Sequence, residues 1–315
     1  MKFAEEIAQH VKLFMYHPEL AKRNSGRVYW VKKSTDADYP SFVAEHPAYE
    51  DAQAAVYTTI QAAVNACSGA RNEVIFVSPG DYDEAVTIAV GKTWLTLVGL
   101  GGRGSVFITR TGATTNLTNN AEGTTLFNIT LEGDETSGSI GLLNRGKRLR
   151  YIVGRILNVE TCARFTLGTP TEVTAGTFSD GSDTLCEDVE FSWATNGVQL
   201  VGVEDTVGGG DFGTTQNYFR RCVFHNCTAY SIGENPSDVT QSFRDLEVSK
   251  CTFRRVEAGT EPTAYILLND DNANSGIVED CAFPTALAGG KNLVSTALIW
   301  TSNKHTGGIS NGQPS

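Results

Sequence analysis

The chain has 315 residues, with 32 glycines, 9 prolines and a formal net charge of −11 at pH 7. This length allows one large domain or two ordinary ones, and a Val-, Ile-, Leu-, Phe- and Thr-rich apolar composition is typical of strands. The negative charge and the lack of a basic stripe argue against nucleic-acid binding. No run approaches the roughly 18 uninterrupted apolar residues of a membrane span.

Residues 1–50 form a region unlike the rest of the sequence. Residues 2–16 have apolar side chains on one side of a predicted short helix, but they include Glu5 and Glu6 and lack the apolar core of a signal peptide. The segment GRVYWV at 26–31 and a loop at 35–49 follow. We expect an arm outside the main body, with a role in docking or oligomerisation, and a protein made and used without export through Sec.

A helix is predicted at 57–67, because Ile60, Ala63, Val64 and Cys67 lie on one helical face. Predicted strands follow in order at 74–77, 86–88 and 95–102. Together the segments TIQAAV, VIFVSPGDY and LTLVGLGG resemble the opening of pectin-lyase-like β-helices.

The resemblance covers about residues 57–290 and implies a right-handed parallel β-helix, a solenoid of stacked rungs. It implies that the helix at 57–67 closes one end of the solenoid. Such a cap is needed because an uncovered terminal rung leaves free strand edges and core side chains.

A hexapeptide repeat supports the same fold from within the sequence. Its copies are CEDVEF at 186–191, FRRCVF at 219–224, VSKCTF at 248–253 and VEDCAF at 278–283, with phenylalanines 33, 29 and 30 residues apart. Weaker copies are predicted at 126–131 and 153–158. A period of this size is typical of stacked architectures.

Side chains alternate along a strand, so the fourth and sixth positions of each copy face the same way. The predicted inward columns are Val189, Cys222, Cys251 and Cys281, and Phe191, Phe224, Phe253 and Phe283. The residues between them (Glu190, Val223, Thr252 and Ala282) are predicted to face outward. The polar pairs at 187–188, 220–221, 249–250 and 279–280 are predicted to complement one another in charge between adjacent rungs.

A second short strand is predicted after three of the copies, at 198–201, 230–232 and 265–268, ended by Gly202, Gly233 and Asn269. Short strands without helical periodicity exclude a βαβ sheet, and the repeat length disfavours a β-propeller or a left-handed hexapeptide helix. A β-sandwich is the remaining alternative. The prediction is therefore an all-β chain with an N-terminal arm (1–50), a parallel β-helix (51–300) and a flexible C-terminal tail (301–315).

Seven cysteines, an odd number without paired zinc-ligand spacing, leave at least one thiol without a partner in the chain. We predict that Cys222, Cys251 and Cys281 are buried free thiols in one column, since synthesis occurs in a reducing compartment. The sequence leaves the redox state and pairing open for the whole set: Cys67, Cys162, Cys186, Cys222, Cys227, Cys251 and Cys281.

Carboxylates are the main candidates for catalysis on such a scaffold, because polysaccharide cleavage needs grouped acids. The candidates are Asp180, Asp183, Asp205, Asp211, Asp270 and Asp271. Residues 269–271 resemble part of a polygalacturonase signature, but the Gly-His-Gly and Arg-x-Lys elements are missing. His225 is predicted to be an outward side chain, and His10, His17, His46 and His305 have no ligand spacing.

The Gly-rich segment 99–104 precedes a strand instead of a helix, so it is predicted to be a rung corner and not a phosphate site. No catalytic, cofactor-binding or metal-binding residue is assigned, and no cofactor is expected.

Two functions remain. The first is a bacteriophage virion structural protein, a capsid decoration, cement or head-fibre subunit, assembled in the host cytoplasm and placed on the virion surface. The resemblance to phage β-helix proteins implies a homotrimer that binds other virion proteins, such as the major capsid protein. The alternative is a tailspike-type depolymerase, a lyase or glycoside hydrolase acting on host surface polysaccharide. Neither nucleic acid nor a membrane is an expected partner.

Overall fold

The computed structural model describes residues 26–69, 72–166, 180–204, 211–234, 242–254, 262, 264–268, 275–284, 298–305 and 308–310. These residues form a parallel β-helix in which two 11-stranded sheets run the length of the stack. All the pairings within these two sheets are parallel. Strands of consecutive rungs are in register, apart from a shift between Ala194 and Asn196 where β15 pairs with β19. The predicted all-β fold is confirmed.

The first sheet contains one strand from each rung. In spatial order its strands are β2 (Val56–Tyr57), β1 (Val28–Val31), β3 (Val74–Val77), β6 (Thr96–Gly99), β9 (Thr125–Phe127), β12 (Arg150–Ile152), β14 (Thr184–Glu187), β18 (Asn217–Arg220), β21 (Leu246–Ser249), β24 (Gly276–Glu279) and β25 (Leu298–Thr301).

The second sheet has two tracks that share its longest strands. One track is β4 (Gly80–Asp83), β7 (Val106–Thr109), β10 (Thr130–Glu132), β13 (Arg155–Thr166), β15 (Glu190–Val201), β19 (Val223–Glu234) and β22 (Thr252–Phe253). The other adds β5 (Val86–Ile88), β8 (Thr115–Asn119), β11 (Ile140–Asn144) and β23 (Ala264–Leu267). Each rung therefore has three sides, because β13, β15 and β19 bend across the last corner.

The three corners are set by residues with positive φ. One such column separates the first sheet from the second: Asn128, Val153, Asp188, Arg221, Lys250 and Asp280. Another precedes the first sheet: Trp94, Arg148, Asp183, Gln216 and Asp245. The third bends the long strands of the second sheet: Asn158, Trp193 and Asn226. A single left-handed residue turns the chain sharply without using a long loop.

Two short helices lie near the start of the stack. Helix α1 (Tyr39–Glu45) lies in the segment at 35–49 that was predicted to be a loop, so that prediction is wrong for these residues. Pro40 lies in the first turn of the helix, where proline is well tolerated. Helix α2 (Ile60–Ala66) confirms the predicted helix, although 56–57 form a strand. A small sheet of β16 (Val203–Glu204), β17 (Asp211–Thr215) and β20 (Ser242–Arg244), and a hairpin of β26 (Asn303–His305) and β27 (Gly308–Ser310), complete the described elements.

Helix α2 packs against the first strands of the stack and contributes Ile60, Ala63 and Val64 to the solenoid core. The Glu84 carboxylate accepts hydrogen bonds from the amides of Ile60 and Gln61, at 2.7 and 2.9 Å, and so satisfies two free donors of the helix. This position agrees with the predicted role of the helix as an end cap.

The predicted inward columns are confirmed. All eight side chains are buried, and the phenylalanines stack with ring centroids 5.0, 5.0 and 4.6 Å apart along the column. The thiols of Cys222, Cys251 and Cys281 donate to backbone carbonyls of the preceding rung, with sulfur–oxygen distances of 3.3, 3.3 and 3.4 Å. All seven cysteines are free and buried.

The predicted charge complementarity is confirmed between the polar residues at 187–188 and those at 220–221. Arg221 forms ion pairs with Glu187 and Asp188, at 2.7 and 2.8 Å. Its neighbour Arg220 instead pairs with Glu247 at 2.8 Å.

The predicted copy at 153–158 is wrong by two residues. Ile156, not Asn158, aligns with Leu131 and Phe191, so the true copy is 151–156. Its fourth position is Gly154, where a Cβ would lie 2.2 Å from the ring of Tyr151. The tyrosine ring fills the space that a cysteine or valine fills in other rungs.

Two further expectations need correction. Residues 26–31 were expected outside the rungs, but β1 pairs with β3 over four residues and belongs to the first sheet. Gly233 lies within β19 instead of ending a strand. The predicted helix at 2–16 and the predicted strand-ending residue Asn269 lie outside the described residues. The predicted tail at 301–315 is described at 301–305 and 308–310, where β26 and β27 form an antiparallel hairpin. The docking role of residues 1–50 and the flexibility of residues 301–315 stay predictions.

Candidate functional site

Two of the acidic candidates form ion pairs with nearby bases. Asp180 pairs with Lys147 at 2.8 Å, and Asp183 lies 3.5 Å from both Arg148 and Arg150. Both carboxylates thus have local partners that hold corners of adjacent rungs. They do not form a carboxylate pair with each other in the described interactions.

One of the remaining acidic candidates is described. Asp211 begins β17, where it pairs with Glu204. Asp205, Asp270 and Asp271 lie outside the described residues. Among the residues that the structure describes, no group of three His, Cys, Asp or Glu side chains is arranged to hold a metal ion.

The two other sequence features take the positions expected for them. The glycine-rich segment lies between β6 and β7, with positive φ at Gly101 and Gly104, and is a rung corner. His225 points outward from β19, where its ring meets the edge of Trp193 with centroids 6.1 Å apart. The partner of His225 was not anticipated.

Trp193 of this aromatic pair lines a groove of about 290 Å³ on the second sheet. Its lining residues are Glu135, Val159, Trp193, Ala194, Thr195, Asn226 and Thr228. They come from four consecutive rungs, since Glu135 bonds to the rung of Asn158 and the strands β13, β15 and β19 pair one after another. At about 4.8 Å per rung the groove extends about 14 Å along the solenoid axis.

Trp193 has an unusual backbone for its size. It occupies the third corner column with φ 54°, and its neighbours in that column are Asn158 and Asn226. Asparagine tolerates this conformation, whereas a bulky residue there costs about 1–3 kcal/mol. The Trp193 side chain is nevertheless 39% exposed. A strained, exposed aromatic residue in a groove makes Trp193 a candidate contact for a ligand.

Trp94 provides a contrast, since it also has positive φ. Its ring lies so close to Gly123 that a Cβ there would be 2.2 Å away, and Arg148 lies 6.0 Å from its centroid. Packing accounts for Trp94, but Trp193 gains only one edge contact with His225 among the ring contacts of the described residues.

The groove combines a flat aromatic surface with neutral polar groups. Thr195, Asn226 and Thr228 supply hydroxyl and amide groups, and Val159 and Ala194 form its floor. The only charged side chain among the seven lining residues is Glu135, which is exposed. The groove therefore suits an uncharged ligand with apolar faces and hydroxyl groups better than an anion.

The sequence contains a signal for Trp193 that the repeat analysis did not use. Trp193 and Asn226 each follow the repeated phenylalanine of their copy by two residues, so the copies place them side by side. Glu135 has no such signal, because it follows a short strand in a rung where the repeat is weak.

No protein-family model matches the chain, and no curated protein is similar to it in sequence. Its fold is similar to that of a protein described as Geobacillus virus E2 ORF18, with a TM-score of 0.56 and 13% identity over 78% of this chain. The chain spans 53% of that viral protein.

Two pectin methylesterases have a similar fold. PemA from Erwinia chrysanthemi matches with a TM-score of 0.51 and 12% identity, over 92% of both chains. A pectin methylesterase in complex with a hexasaccharide matches with a TM-score of 0.51 and 12% identity, over 90% of this chain and 91% of the other. The chain therefore has the pectin-lyase-like parallel β-helix fold. No helix among the described residues is long and apolar enough to cross a membrane.

Proposed function

We propose that this chain is a structural subunit on the surface of a bacteriophage particle, a capsid decoration, cement or head-fibre protein. The observation that carries the proposal is its similarity in fold to the Geobacillus virus E2 protein over 78% of the chain. The subunit forms a homotrimer and binds other virion proteins such as the major capsid protein. It is assembled into particles in the host cytoplasm.

The construction of the stack supports a structural role. Consecutive rungs are joined by in-register strands, stacked phenylalanines and ion pairs such as Arg221 with Glu187. Asp180 and Asp183 are held in ion pairs at corners instead of facing the groove. These features favour a rigid body over a mobile one.

The test is electron microscopy of phage particles made with and without this chain. We expect density for a β-helix on the particle surface only when the chain is present, and the chain should co-purify with intact particles. Particles of identical structure in both preparations would contradict the proposal.

A depolymerase is the second candidate, favoured by the groove and by the similar fold of an esterase that binds a hexasaccharide. Incubation of the purified chain with host capsule or pectate would test it. New reducing or unsaturated ends would support this function, and their absence in both incubations would count against it.

A further inference from the structure

The groove around Trp193 is the strongest candidate for a binding site among the described residues. It crosses four rungs and lies open to solvent on one side of the solenoid. Its long axis follows the solenoid axis, so an extended ligand would meet Glu135, Trp193 and Thr228 in turn. A linear oligomer fits this shape better than a compact molecule does.

The chemistry of the lining identifies the class of ligand. An exposed indole ring offers a flat apolar face, against which the C–H face of a sugar ring can stack, while threonine and asparagine groups can bond to sugar hydroxyls. A peptide or nucleic acid would use a sheet edge or basic side chains, and the seven lining residues provide neither.

The charge of the groove and of the whole chain indicates which sugars the groove can bind. Glu135 places a carboxylate at one end of the groove, and the chain has a net charge of −11. An acidic sugar would be repelled by both, and none of the seven lining residues is basic.

We infer that the groove at Glu135, Trp193 and Thr228 binds a linear oligosaccharide of uncharged sugars and discriminates against uronic acids. This inference extends the proposed virion role, because it gives a surface subunit a site for the host glycan. Trp193 stacks on a sugar ring, His225 holds the indole edge, and Glu135 excludes carboxylate-bearing rings.

The direct test is calorimetric titration of the purified full chain with cellohexaose, maltohexaose, chitohexaose and hexagalacturonate. We expect at least one uncharged hexaose to bind and to quench tryptophan fluorescence, and hexagalacturonate to bind about tenfold more weakly or not at all. Binding of none of the uncharged hexaoses, or tighter binding of hexagalacturonate, would overturn the inference.

Variants separate the site from the scaffold. Trp193→Asn should reduce affinity for the bound hexaose by about tenfold or more, as when an aromatic residue is removed from the centre of a binding site. Its melting temperature should be unchanged or higher, since asparagine occupies the same corner in both neighbouring rungs. Trp94→Phe, outside the groove, is the matched control and should leave binding unchanged.

Glu135→Gln should strengthen the binding of hexagalacturonate and so narrow the difference in affinity between it and the uncharged hexaose. Unchanged discrimination between charged and uncharged hexaoses in this variant would refute the role given to the carboxylate.

Particles carrying Trp193→Asn should still incorporate the chain but lose hexaose binding. Loss of incorporation would instead place Trp193 in the particle contact, so failure of the site and failure of the virion role give different results.

Discussion

Phe253 illustrates how much a single residue contributes to the core. Its ring is 2% exposed and stacks between Phe224 and Phe283, with centroids 5.0 and 4.6 Å away. Replacement by alanine should lower the free energy of unfolding by about 3–5 kcal/mol, because it leaves a cavity between two rungs. Urea denaturation measures the change.

The adjacent residue is the matched control, since Thr252 faces outward on the same strand. Thr252→Ala should change the free energy of unfolding by less than about 0.5 kcal/mol. A loss below about 1 kcal/mol for Phe253→Ala would mean that the column does not pack as described.

The cysteine column makes a second prediction at the scale of the residue. Cys251 is 1% exposed, and burial raises its pKa well above the usual value for a thiol. Since the thiolate is the reactive form, a thiol reagent should leave Cys222, Cys251 and Cys281 unmodified in the native protein. Unfolding in denaturant should expose all three together.

Thr252→Cys provides the positive control, because it places a thiol on the outward face of the strand that carries Cys251. That variant should gain one rapidly labelled site under native conditions. Rapid labelling of Cys251 itself in the folded protein would contradict the inward assignment of the column.

At the scale of the element, neighbouring strands of the first sheet are linked by a bidentate ion pair. Arg220 on β18 donates from Nε and Nη2 to the two oxygens of Glu247 on β21, both at 2.8 Å. This contact lowers the pKa of Glu247. A carboxyl group whose pKa is lowered by folding stabilises the fold above its unfolded pKa, and the contribution is lost as the pH falls.

Glu247→Gln should therefore lower the free energy of unfolding at pH 7, by up to about 1 kcal/mol because the pair is partly exposed. The difference from the unaltered chain should shrink as the pH falls below about 4, where the carboxyl group becomes protonated in the unfolded chain. Denaturation at pH 7 and pH 3 measures this. Glu50→Gln is the exposed control and should change the free energy of unfolding at pH 7 by less than about 0.5 kcal/mol. A pH-independent difference for Glu247→Gln would contradict the ion-pair explanation.

The elements also explain which parts of the structure the sequence could predict. Rungs with phenylalanine and cysteine at fixed positions were correctly registered, because these side chains repeat the same packing in each rung. The predicted register was wrong in the rung of Tyr151 and Gly154. There the tyrosine ring occupies the space next to the glycine, so one large side chain replaces the two medium ones of the other rungs. Hydrophobic patterns report which positions are buried, but not how neighbouring side chains divide the volume.

The candidate site was less predictable than the fold for a related reason. Its residues belong to different rungs, and their approach depends on corner positions that the apolar pattern does not mark. Trp193 could have been found by comparing the residue two places after each phenylalanine, whereas Glu135 could not. The positive φ that turns Trp193 outward becomes visible only in the backbone.

At the scale of the whole molecule, the two ends of the parallel stack differ in what packs against their strands. Helix α2 packs against the strands at the start of the stack, whereas β25 is the last of the described strands at the opposite edge of the first sheet, where Ile299 is 65% exposed. Unpaired strand edges favour association with other chains. A homotrimer in which another chain covers the edge of the first sheet at β25 would fit this arrangement.

Light scattering should give a mass three times the 33.9 kDa of one chain. Deletion of residues 1–25 is the informative variant, because β1 begins at Val28 and the first sheet stays intact. We expect the deletion to yield the mass of a single chain with an unchanged circular dichroism spectrum, since the arm is predicted to act in oligomerisation. A full-length chain that scatters as a monomer would contradict the trimer. A trimer that persists after the deletion would place the contact between chains outside residues 1–25.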